Sequence, residues 1–159
     1  MKTVSLFSRA VCLGGMLTLV FFLASAGASH AAGYWTCSGG DWITVGQPTY
    51  AKPIKVCGSH LDIPHTQEAC ESAGGKWGRV GLFPKPICRV PTHDGGRPCA
   101  DVDECEGLCL AALTPQQRDA VVRQHAKLAI MGSCTPHVPV FGCMARVNKG
   151  LVTGILCAD

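Results

Sequence analysis

The sequence predicts a small disulfide-rich α+β domain. Three observations carry that expectation. Ten cysteines (Cys37, Cys57, Cys70, Cys88, Cys99, Cys105, Cys109, Cys134, Cys143 and Cys157) follow an apolar N-terminal stretch. An even count after an export segment reads as disulfides, because oxidised pairs persist outside the reducing cytosol. Runs of strand composition are short and are cut by glycine and proline. Two helix starts are marked by threonine caps.

The export segment spans residues 1–31. Lys2 and Arg9 form a basic start, and an apolar run from Ala10 to Ala26 follows, with Cys12 inside it. Ala26-Gly27-Ala28 and Ser29-His30-Ala31 both suit signal peptidase, which completes the layout of a secretory signal. An uncleaved anchor is the alternative. The run lies near the lower limit for a span of ~17–25 residues, and cleavage-like sites follow at once, so cleavage is expected. It leaves residues 32–159 as one domain, periplasmic or secreted. Basic residues then fall from 14 to 12 against 11 acidic ones, and the net charge from +3 to +1. That balance, without a basic cluster, argues against nucleic acid and, after cleavage, against the membrane.

Trp42-Ile43-Thr44-Val45 has strand composition, and Ile54-Lys55-Val56-Cys57 reads as another strand, both limited to edges by Pro48 and Pro53. Thr66 caps a short helix over 67–73, and Gly74 offers its left-handed stop. Trp77–Leu82 is extended. Phe83-Pro84-Lys85-Pro86 is a stiff loop, and Ile87–Val90 is a strand. His93-Asp94-Gly95-Gly96-Arg97-Pro98 is turn chemistry. Thr114, Pro115 and Gln117 make a capping box with proline in the first turn, opening a second helix near 115–131 that Gly132 stops. Val138–Val147 and Leu151–Leu156 flank Asn148-Lys149-Gly150, the signature of a C-terminal β-hairpin.

No Cys-x-x-Cys pair is present, which excludes thioredoxin-like exchange and c-type haem attachment and leaves structural disulfides. Asp101, Asp103 and Glu104, with Glu106 and Asp94 nearby, are the calcium candidates, as hard oxygen ligands on one loop suit that ion. Asp101-Val102-Asp103-Glu104-Cys105 resembles the opening of a calcium-binding epidermal-growth-factor-like module. The later Cys-x-Cys pair of that family does not follow, so the module is rejected. No cofactor is expected. His60, His65 and His93 are the candidates for acid–base or metal chemistry in a small secreted hydrolase, but no nearby serine has a nucleophile-elbow context. The Trp side chains are expected to pack against disulfides.

Three segments carry a wider resemblance. They are Cys70-Glu71-Ser72-Ala73-Gly74-Gly75-Lys76-Trp77, Gly81 to Cys88, and Pro91-Thr92-His93-Asp94-Gly95-Gly96-Arg97-Pro98-Cys99. With Cys105-Glu106-Gly107-Leu108-Cys109, Phe141-Gly142-Cys143 and the end at Cys157-Ala158-Asp159, they resemble small exported cysteine-rich proteins of proteobacteria. The resemblance implies an exported disulfide-rich domain and no particular activity. The expected function is therefore a non-enzymatic structural or binding module, inhibitor-like in style. Phe83 and Lys85 are its binding candidates, and its partner is a protein or other component of the envelope.

Overall fold

The computed structural model describes residues 33–158. The export segment expected at 1–31 lies outside the described residues. The chain folds as a small disulfide-rich α+β structure with three antiparallel sheets and two short helices. Among the described residues no helix is long and apolar enough to cross a membrane.

β1 (Tyr34–Ser38) and β2 (Asp41–Val45) form a two-stranded hairpin closed at Gly39 and Gly40, both at positive φ. Trp42 turns inward and donates its indole N–H to the Lys55 carbonyl at 3.0 Å. The strand expected at Ile54–Cys57 does not form. Gly58 takes φ 78°, and the Ser59 N–H and hydroxyl both donate to the Val56 carbonyl, so the segment ends in a turn instead of a ladder.

α1 (Gln67–Ser72) starts where Thr66 accepts from the Ala69 N–H and stops at Gly74, φ 72°. Only Cys70 on this helix is buried, and its disulfide to Cys88 fastens the helix to a sheet of β3 (Lys76–Gly78), β4 (Ile87–Pro91) and β8 (His137–Val138), in the order β3-β4-β8. Cys70, Cys88, Val90 and Val138 form one core cluster, with Leu61, Ile63 and Trp77 packed on it.

The strands of the larger sheet are β5 (Pro98–Cys99), β6 (Cys109–Ala111), β7 (Gly132–Cys134), β9 (Gly142–Arg146) and β10 (Leu156–Ala158), in the order β10-β9-β6-β7-β5. A 3₁₀ turn (Val102–Glu104) links the first two. Cys99, Cys105, Cys109 and Cys134 sit at the centre of the second core cluster with Val121, Ala145, Val147 and Val152. Disulfides thus occupy space that leucine and phenylalanine fill in larger domains.

α2 (Pro115–Arg123) opens on the complete Thr114–Gln117 capping box. It is shorter than the expected 115–131. His125 turns left-handed at φ 53°, and the Ala126 N–H returns to the Ala120 carbonyl. Leu128 then exchanges both backbone hydrogen bonds with Val152, at 3.0 and 2.9 Å. A long-range bridge has taken the backbone that a longer helix needed. The same bridge reshapes the C-terminal hairpin. Its turn is as expected, with Lys149 and Gly150 at φ 50° and 76°. Val152 then leaves to meet Leu128, and pairing with β9 resumes only at Leu156. The expected single arm 138–147 is also divided, because β8 pairs with β4 while β9 pairs with β6 and β10.

Candidate functional site

All ten candidate cysteines are paired: Cys37–Cys57, Cys70–Cys88, Cys99–Cys109, Cys105–Cys134 and Cys143–Cys157. The sulfurs of Cys99, Cys105 and Cys134 lie within 4.8 Å of one another, a spacing that thiolates could use for a metal. Each is already in a disulfide, so none is a thiolate ligand.

The acidic loop is engaged by protein donors. Asp101 caps the 3₁₀ turn through the Asp103 N–H at 3.1 Å and accepts the Lys149 N–H at 2.7 Å. Glu104 is buried. One of its oxygens accepts the Trp35 N–H at 2.7 Å and the Tyr50 hydroxyl at 2.6 Å, and the other accepts the Ala100 N–H at 3.0 Å. Burial raises the Glu104 carboxyl above its ordinary value, against the pull of these donors. Burial and the adjacent Glu104 push the Tyr50 phenol far above its own range, so it stays a donor. Two of the three calcium candidates therefore hold loops together. Close to this loop, the Lys55 ammonium donates to the carbonyls of Ser59 and Cys105. Burial lowers the Lys55 pKa, partly offset by Asp103, Asp94 and Glu106.

The histidine candidates stand apart. His60 is exposed on its loop. His93 pairs with Glu106, 3.1 Å from Nδ1 to Oε2, and not with the neighbouring Asp94. Asp94 is buried and accepts the Glu106 N–H at 2.7 Å, and its other oxygen has no partner among the described residues. His65 lies elsewhere, in the wall of a groove.

That groove is where the two binding candidates meet. Phe83 and Lys85 project from the loop between β3 and β4, which is fixed at both ends. The Phe83 N–H donates to Val80, and Arg79 donates to the Pro84 carbonyl at 3.0 Å. The Phe83 ring leans on Phe141, with centroids 6.4 Å apart and planes at 44°. Between them and Trp77, Pro86, Pro139 and His65 opens a hollow of about 470 Å³ walled almost wholly by carbon. Two prolines bracket Lys85, so the loop has little backbone entropy to lose. Phe83 remains 39% exposed and Leu82 85% exposed beside it. Phe141 and Pro139 were invisible as partners in the sequence, since they reach the loop only through the β4–β8 pairing.

Searches of protein-family models, of curated proteins and of solved structures find no match to this chain.

Proposed function

We propose that this protein is a non-enzymatic, exported binding module whose working surface is the groove between the Phe83–Pro86 loop and Phe141. The carrying observation is an aromatic, proline-walled groove on a loop held rigid by its own hydrogen bonds. Such walls suit an extended, proline-containing peptide, which arrives with little entropy to lose. The partner is accordingly a proline-bearing segment of an envelope protein. Export through residues 1–31 and a periplasmic or secreted location are part of the same reading. Five disulfides support it, as does the resemblance to exported cysteine-rich proteins of proteobacteria.

The test is capture from envelope extract with the oxidised protein as bait, followed by peptide mapping of what is retained. Phe83→Ala with Lys85→Ala should leave the fold intact and abolish capture. Phe141→Ala should weaken it from the opposite wall. Equal capture of the same partners by the double variant would place the binding surface elsewhere.

A further inference from the structure

The three-stranded sheet has a second surface, independent of the groove. On β4, Cys88 and Val90 point into the core, so Arg89 points outward. Register sets Lys76 directly across from Arg89 and His137 directly across from Pro91, on the same outer face. Like charges directly opposed across a ladder repel, which makes this an unfavourable pairing on its own. Among the described residues neither Lys76 nor Arg89 has a carboxylate within 4.0 Å. The sheet therefore holds two facing cations with no anion of its own.

His137 adds a third polar group. The Arg89 guanidinium contacts its Nε2. A guanidinium only donates, so Nε2 is the acceptor and the imidazole proton sits on Nδ1. Burial, and then the Arg89 cation, keep His137 below the ordinary histidine range, consistent with that neutral form. The contact sets the imidazole beside the guanidinium on this outer face. Between these side chains lies a hollow of about 260 Å³, bounded by Gly74, Pro91 and Pro136.

We propose that this hollow is an oxyanion site for a phosphate-type group. Arg89 supplies the planar fork, Lys76 the second cation, and His137 positions the guanidinium. A tetrahedral dianion can accept from both cations at once and cancels both charges, whereas a single carboxylate carries half the charge needed. Binding would turn the repulsive Lys76–Arg89 pair into a bridged one.

The test is an NMR titration of the disulfide-intact protein with sodium phosphate, against sodium chloride at matched ionic strength. Phosphate should shift the amides of β3, β4 and β8 saturably, and chloride should not. Arg89→Gln and Lys76→Gln should each weaken phosphate binding by about tenfold or more, the loss of one charge-assisted hydrogen bond. Both side chains are exposed, so folding should survive, checked by circular dichroism and an unchanged disulfide count. Co-sedimentation with phosphatidylcholine vesicles containing phosphatidic acid distinguishes the source. Vesicle binding lost in the same variants assigns a lipid headgroup, and phosphate binding without vesicle binding assigns a soluble phosphate. Either result supports the site. No saturable shift with either probe, equal shifts with chloride, or undiminished binding by both variants would overturn it.

Discussion

Removing the Glu104 carboxylate should release the N-terminal hairpin while leaving the rest of the molecule folded. The reason lies in the covalent map. Cys37–Cys57 closes a loop within the N-terminal segment, and among the described residues no disulfide joins that segment to residues beyond Cys57. Its attachment is noncovalent, and Glu104 is the centre of it. Glu104→Ala strands three donors. The Ala100 N–H is fully buried and cannot recruit water, which costs about 1–3 kcal/mol. The Trp35 N–H and Tyr50 hydroxyl are partly buried and recover some hydration, so each loses about 0.5–1.5 kcal/mol. The sum is about 2–6 kcal/mol, against a net stability of ~5–15 kcal/mol for a domain. Among the described residues the remaining side-chain ties are the Lys55 ammonium on the Cys105 carbonyl and the Arg97 guanidinium on the Lys52 carbonyl, both at 3.1 Å, and a long contact of the Thr49 hydroxyl with the Met131 sulfur at 3.9 Å. Hydrogen exchange by mass spectrometry is the assay. Protection should collapse over 34–45 and persist in β6, β7 and β9. A global melting shift worth less than about 0.5 kcal/mol with unchanged exchange, or a uniform loss across all three sheets, would refute the reasoning.

Four further outcomes are expected. Mass spectrometry with and without reduction should differ by ten hydrogens across the ten paired cysteines, with no titratable thiol in the folded protein cleaved after the export segment. Paired Cys→Ser removal should cost more stability for Cys105–Cys134, separation 29, than for Cys99–Cys109, separation 10, by about 1 kcal/mol of chain entropy, read from urea unfolding. Gly75→Ala should destabilise more than Gly74→Ala. A Cβ at Gly75 would lie 2.8 and 2.9 Å from the Cys88 and Cys70 sulfurs, while Gly74 has open space and only its φ of 72° to strain, about 1 kcal/mol; equal melting temperatures would contradict this. Glu104 gives a pH signature. Its folded pKa is raised, so its contribution is fully present below its ordinary 4.5 and is lost as pH rises through the raised value. The melting temperature of the parent minus that of Glu104→Gln should therefore fall as pH rises from 4.5, and a rising difference would reverse the assignment.

Local chemistry was legible and long-range chemistry was not. The Thr66 and Thr114 caps, the Gly74 stop and the Asn148–Gly150 turn are each decided within a few residues, and each stands as expected. The end of α2 was missed because Leu128 answers to Val152, not to its own helix. In the acidic loop, charge read from sequence carries no sign of burial. Glu104 finds Tyr50 and Trp35 across separations of 54 and 69 residues. Phe83 and Lys85 were legible as a stiff tip, yet the opposing wall at Phe141 became visible only once β8 lay beside β4. The Lys76–Arg89 pair had no signal at all, since two cations thirteen positions apart become neighbours only through register.

The order of the disulfides along the chain has its own consequence for how oxidation can proceed. Suppose cysteines join in the order in which they emerge from the N-terminus. Cys37 meets Cys57, and Cys70 meets Cys88, both native, and Cys143 with Cys157 is native at the end. Errors are confined to the quartet between them, where neighbour-to-neighbour joining gives Cys99–Cys105 and Cys109–Cys134 in place of Cys99–Cys109 and Cys105–Cys134. An external thiolate repairs both: it opens one bridge as a mixed disulfide, the thiolate freed there attacks the second bridge, and the thiolate released in turn displaces the catalyst. The sulfurs of Cys99, Cys105 and Cys134 already converge within 4.8 Å in the finished core, so the native site itself gathers the atoms that must trade partners. Ten cysteines permit hundreds of pairings, but a vectorial chain of this design has a single place to go wrong, and an oxidant with one round of thiol exchange is enough to reach the native set.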